Sequence, residues 1–320
     1  MSASGGTRAI IAAFLANTGI ALTKFIAWFF SGSTSMLAEG VHSVADAGNQ
    51  LLLILGGRKA QKAADKEHPF GYGRERYVYA FVVSIILFSV GGVFSIYEGI
   101  DKIQHPHELE VPWLPILVLS IAIVLESFSL RTAIKESNHV RGRQTWVQFV
   151  RRAKAPELPV VLLEDVAALL GLVFALFGVG LTIITGNSLF DAIGTLMIGT
   201  LLIIVAIVLG METKSLLVGE GANDDDLQKI EQAILDGPEA ERIIHMKTLY
   251  LGPDELLVAA KVGFAADQRL LEVATATNVI EARVRQAVPT ARVIYVEADV
   301  YVDPAAAAPA TDAIVIKGLE

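Results

Sequence analysis

His42 and Asp46 stand four residues apart inside an apolar stretch of the chain. On a helix that spacing stacks the two side chains on one face, a turn apart. An imidazole and a carboxylate converging in this way offer two ligands to one small divalent cation. Asn49 lies three residues further on and extends the same stripe. In a soluble helix the pair reads equally well as an internal hydrogen bond that stabilises packing. At membrane depth a central charge costs about 2.5–3.5 kcal/mol, which asks for a reason and favours metal binding. Glu164 and Asp165 form a second acidic pair in a later apolar run. Neighbouring helical residues point about 100° apart, so both cannot face one centre. Glu164 then pairs with Lys24, contacts water, or takes part in proton movement. Lys24 and Glu126 are also charged within apolar runs, and a side chain snorkelling to the interface accounts for each. For Glu126 the nearness of Arg131 favours that account. There is no cysteine, so thiolate metal sites, disulfides and cysteine nucleophiles are excluded. Any metal must be held by His, carboxylate, amide or backbone groups.

Membrane spans are the elements that must position these residues. Of the 320 residues 53% are hydrophobic and 19% charged, against about 25% charged in soluble domains. Six runs can cross about 30 Å of hydrocarbon: 9–30, 36–57, 77–97, 113–131, 159–184 and 190–211. The first is too long for a signal peptide and no small-residue cleavage pattern follows it. Arg58, Lys59, Lys62, Lys66, Arg74 and Arg76 lie between the second and third runs. Arg131, Lys135, Arg141, Arg143, Arg151, Arg152 and Lys154 lie between the fourth and fifth. The alternate loops are poor in Lys and Arg, which predicts both termini in the cytoplasm. A net charge of −8 and the lack of a basic stripe with interleaved aromatics argue against a nucleic-acid partner.

From Glu212 the pattern becomes that of a small soluble domain. Asp224–Leu235 reads as a helix, closed by Gly237-Pro238. Ile243–Leu251 and Leu256–Phe264 read as strands around a Gly252-Pro253-Asp254 turn, followed by a helix over Arg269–Val288 and a strand over Ala291–Val302. The expected order is α-β-β-α-β, with helices on one face of a sheet. This gives a transmembrane domain over 1–211, a second domain over 212–302 and a disordered tail over 303–320.

Asn17 and Lys24, then the continuous run Gly32–Asp46 (GSTSMLAEGVHSVAD), resemble the cation diffusion facilitator family of divalent-metal/proton antiporters. His68–Arg74 (HPFGYGR) is similar to that family's first cytoplasmic loop. The segments Leu163–Ala168 (LEDVAA) and Thr185–Asp191 (TGNSLFD) resemble the branch that includes the animal mitochondrial zinc transporter. The resemblance covers residues 9–302. It implies an all-α six-helix transmembrane bundle with a cytoplasmic α+β domain that is ferredoxin/metallochaperone-like and dimerises. It also implies a tetrahedral transport site with two ligands from each of two spans. His42 and Asp46 fill the first pair and Asp165 one place of the second, while Val161 stands where a fourth ligand, His, would be. Water, Asn49 or a shifted Glu164 are the candidates for that place. In the loop, Asp65 and His68 match family ligands, but Tyr72 replaces a second His, which weakens metal binding there. His245 matches one ligand of the cytoplasmic domain, yet the later positions near Val296–Ala298 are not kept, so a binuclear centre is not expected. Arg74 occupies a basic junction position, with Glu212 or Glu220 as partners or with water.

The function implied is efflux of a divalent transition metal, Zn2+ first, in exchange for protons, with no resident cofactor. Loss of one His raises the claims of Mn2+, Fe2+ and Co2+. Two other classes compete. An intramembrane metalloenzyme would use the open coordination position with Glu164 as base, but no H-E-x-x-H motif is present. A transport-dead scaffold or regulator would explain the eroded sites. No organellar transit peptide is visible, which leads to an expected location in the bacterial inner membrane.

Overall fold

Apolar runs and helix formers do not end at the same places, and this shapes the membrane-embedded part of the chain. The computed structural model describes residues 4–31, 34–106 and 113–302, with residues 4, 5, 31, 34–39, 41 and 42 described by backbone alone. The tail expected to be disordered lies outside the described residues. The first unit, up to Gly219, contains α1 (Ser4–Ser31), α2 (Thr34–Lys59), α3 (Glu75–Ile86), a π-helical stretch (Leu87–Val93) and α4 (Phe94–Gln104). It continues with α5 (Trp113–Arg141), α6 (Trp146–Arg152), α7 (Glu157–Thr185) and α8 (Leu189–Val218).

Among the described residues, five helical stretches are both long and apolar enough to cross a membrane: Gly6–Phe30, Glu75–Gln104, Trp113–Arg141, Glu157–Thr185 and Leu189–Val218. The second expected span, α2, has 26 residues, so its length suffices, but it carries Asp46, Asn49, Gln50, Arg58 and Lys59. The fourth run was expected to stop at Arg131, whereas α5 continues to Arg141. Polar residues such as Lys135 and Glu136 end apolarity there without ending helicity, because both are good helix formers. A short helix in the following segment starts on a capping box, in which Thr145 Oγ1 accepts from Gln148 N and Gln148 Oε1 accepts from Thr145 N. Gly186, with φ of 69°, closes α7 in the left-handed conformation.

Within this unit α1 packs on α2 and α5, α7 on α5 and α8, and α8 on α3 and α4. The close crossing of α4 and α8 depends on a missing side chain: a Cβ on Gly199 would sit 2.8 Å from the backbone nitrogen of Ile96. The starts of α3 and α7 are tied together by Arg76, whose Nε and Nη2 donate to the two carboxylate oxygens of Glu157, the latter at 3.0 Å.

The second unit holds α9 (Asp224–Leu235), β1 (Arg242–Gly252), β2 (Glu255–Gly263), α10 (Leu270–Ala287) and β3 (Ala291–Asp299). Asn223 caps α9 by accepting from Asp226 N at 2.8 Å. The sheet order is β1-β2-β3. β2 and β3 run parallel, with Leu257 opposite Val293 and Gly263 opposite Asp299, and α10 makes the crossover that a parallel pair requires. Ile230, Ile234, Val258, Ile280 and Val284 form the core of this unit.

Candidate functional site

The polar residues of α2 meet a buried acid of α7 inside the helical unit, and a neighbouring acid of α7 meets α5. Glu164 of α7 is 5% exposed and its two carboxylate oxygens accept from α2: Asn49 Nδ2 at 3.1 Å and Gln50 Nε2 at 2.6 Å. Asp165, 1% exposed, faces α5 instead, where Ser129 Oγ donates to it at 2.7 Å. The two adjacent acids therefore address different neighbouring helices, as their angular separation requires. Asp46 is half-buried on α2, one turn before the buried Asn49 and Gln50. His42 is on α2, but its side chain lies outside the described residues. Among the described residues no three His, Asp or Glu side chains form a group ready to hold a metal ion.

Two expectations fail here. Glu126 does not snorkel: it is 2% exposed, because α5 runs ten residues past Arg131 and leaves it mid-helix. Lys24 is also buried, and its Nζ donates to Ser43 Oγ at 2.9 Å, tying α1 to α2. Val161 is fully buried within the apolar core and has no atom to offer a metal. Gln50 and Ser129 lie outside the residues that the sequence marks as candidates. Gln50 directly follows Asn49 before a Leu-rich run, and Ser129 lies three residues after Glu126 on the same face of α5, so polarity at membrane depth was a usable signal for both.

The α2–α3 loop is built around Asp65. Its Oδ2 accepts from Tyr72 OH at 2.7 Å and Lys62 Nζ at 3.0 Å; its Oδ1 accepts from the backbone N–H of His68 and Glu67 at 2.9 and 3.1 Å. The His68 and Tyr72 rings lie 4.3 Å apart. Tyr72, the His68 amide and Lys62, in that order, hold the Asp65 carboxyl below the usual carboxylate range. His68 Nδ1 is 3.7 Å from Asp65, but an ammonium already occupies the other side of this carboxylate. In the second unit His245 is exposed on β1. Glu212 has Arg151 at 3.7 Å.

Residues 10–218 match the family model of the cation efflux transmembrane domain. The chain is 34% identical over 244 residues to the mouse (Mus musculus) "Proton-coupled zinc antiporter SLC30A9, mitochondrial", covering 75% of this chain and 43% of that protein. It is 30% identical over 262 residues to Metal tolerance protein C4 of Arabidopsis thaliana, covering 80% and 57%. It is 26% identical over 256 residues to the cation-efflux pump FieF of Cronobacter sakazakii, covering 78% and 79%. The chain thus spans about half the length of the SLC30A9 relatives it matches. Since the family match takes in more than half of its residues, the chain is an integral membrane protein that belongs to the cation diffusion facilitator (cation efflux) family.

Proposed function

We propose that the protein exports a divalent transition-metal cation, Zn2+ first, in exchange for protons by alternating access. The observation that carries this is the meeting of the α2 polar stripe with the buried carboxyl group of Glu164 on α7, beside buried Asp165 and Glu126, inside an apolar helical unit. Such groups are expensive in lipid and repay that cost when they handle an ion. His42, Asp46 and Asp165 are the ligands in this reading, with Asn49 and Glu164 beside them. All three ligands bind metal only when deprotonated, so metal and protons compete for one site. Metal loads from the cytoplasm, the bundle reorients, and protons on the far side displace it. The names of the relatives as a proton-coupled zinc antiporter and a cation-efflux pump support the exchange.

In this reading α2 is the sixth span. The basic segments around Lys62 and Arg152 face the cytoplasm, both termini with them, and the bacterial inner membrane is the assigned location. The second unit is the dimerising cytoplasmic domain. A second metal reading, Mn2+, Fe2+ or Co2+, is favoured by one specific observation, the apolar Val161 where a nitrogen ligand would stand.

Zinc flux into proteoliposomes under an imposed pH gradient tests the assignment. His42→Ala and Asp46→Ala each abolish flux while the protein still inserts and purifies as the wild type does. Flux at the wild-type level in either variant removes the pair from the transport site.

A further inference from the structure

A buried ammonium beside a cation site works against the cation, and we propose that Lys24 of α1 uses this to set how tightly the metal is held. Fixed on Ser43, one turn from Asp46, it weakens metal binding and speeds release. The inference rests on the transport site proposed above and adds to it a residue from a third helix. Lys24 lies within the apolar run 9–30 and is 7% exposed. A lysine that snorkels carries its ammonium to the interface. This one turns inward, and its Nζ donates to Ser43 Oγ, 3% exposed, at 2.9 Å. The helices meet closely at this level, where a Cβ on Gly40 would come within 3.1 Å of the Phe25 ring. The adjacent Lys24 and Phe25 on α1 thus contact Ser43 and Gly40 on α2, positions that flank His42 in the chain.

Ser43 and Asp46 stand three residues apart on α2, which puts their Cβ atoms about 5–6 Å apart on one face. The ammonium held by Ser43 therefore sits within about a helical turn of a carboxylate of the proposed ligand pair. Its effect depends on whether the site is filled. In the empty site it offsets part of the carboxylate charge; in the loaded site it repels the divalent ion, and both effects lower affinity. Screening is weak in a buried setting, so the repulsion is felt more strongly than in water. A neutral side chain could tie α1 to α2 through Ser43 without the cost of a charge in lipid, so the charge itself asks for a role. An ion pathway must bind well enough to load and loosely enough to let go, and a fixed positive charge supplies the second requirement.

Equilibrium dialysis of the full-length protein in detergent against Zn2+, with zinc flux into proteoliposomes measured alongside, tests the sign of the effect. Lys24→Met keeps the length of the side chain without its charge, and Lys24→Gln keeps a donor for Ser43 without it. Both are expected to bind zinc about tenfold more tightly than the wild type, with a lower KM for flux and a lower maximal rate. Lys24→Arg, which keeps the charge, tightens less than either. A residue that served only to pack α1 on α2 would give the opposite sign, because loosening α2 weakens the site. Zinc affinity at or below the wild-type level in both neutral variants overturns the proposal, and overturns it alone if wild-type flux is intact and Asp46→Ala abolishes it. Equal tightening in Lys24→Arg and Lys24→Met also overturns it, since charge is then not the cause. Tighter binding in the neutral variants of a protein that carries no zinc across upholds Lys24 and sinks the transporter reading. If the wild type binds no zinc, both fall.

Discussion

Tyr72 and Lys62 together make a loop carboxylate that resembles a metal ligand the centre of a hydrogen-bonded cluster. Asp65 accepts hydrogen bonds from both side chains and from two backbone amides, and Lys62 also donates to Tyr72 OH at 2.8 Å. A zinc ion at this carboxylate would have to displace an ammonium that is already in contact. Zinc or a chelator is therefore expected to leave hydrogen exchange at the Glu67 and His68 amides unchanged, whereas Tyr72→Phe speeds it several-fold. The pH dependence follows from sign. The folded-state value of Asp65 is depressed, so the stabilisation it brings is present above the ordinary value of about 3.9 and lost as pH falls through the lower folded value. Between pH 5 and 8 exchange at these amides should follow the intrinsic rate alone. Zinc-dependent protection would restore Asp65 and His68 as a metal site. At this scale the sequence was legible where spacing carries meaning. The i, i+4 relation of His42 to Asp46 marks a helix face without any structure. The burial of Glu126 is not legible from its neighbours, because it depends on how far α5 continues, and that is decided by residues ten positions away.

The ends of the helices show the same separation between signals. Hydropathy locates where a chain leaves lipid, so all the expected apolar runs fall on helices, but it says nothing of helix beyond the lipid or of which end meets which. The Arg76–Glu157 contact joins the first turns of α3 and α7, places both starts at one face of the bundle, and links residues 81 positions apart that no local pattern connects. Glu157 suits its helix N-terminus, whereas Arg76 sits unfavourably at the start of α3 and gains from the carboxylate. The side chains are 6% and 15% exposed, so removal of one partner leaves a charge largely shut off from water. Glu157→Ala is expected to destabilise the helical unit by about 3 kcal/mol, read as a lower unfolding midpoint in detergent. Glu157→Gln, which retains an acceptor, should cost clearly less. Equal costs for the two would mean that packing rather than charge holds the helix starts together.

At the scale of the whole molecule, the chain divides into two units whose cores have no residue in common. The helical unit is centred on residues such as Leu53, Val83, Val161 and Leu209; the other on Ile230, Val258 and Ile280. The change in texture near Glu212 announces this division in the sequence, and the boundary falls at Gly219–Glu220 because α8 continues to Val218. The parallel pairing of β2 with β3 was not legible, since hydrophobic alternation marks strands but not their neighbours. Separate cores predict separate unfolding. Ile280 is fully buried, and Ile280→Ala should cost about 2–5 kcal/mol, a large share of the roughly 5–15 kcal/mol that a domain holds. Calorimetry of the full chain in detergent is expected to show one transition shifted down by this substitution and another left in place, with Leu209→Ala moving the second and sparing the first. Zinc added to the wild type should raise the transition that Leu209→Ala moves, because a ligand stabilises the unit that binds it. A single transition shifted by both substitutions would mean that the units fold as one, and a zinc shift confined to the other transition would move the principal metal site away from His42 and Asp46.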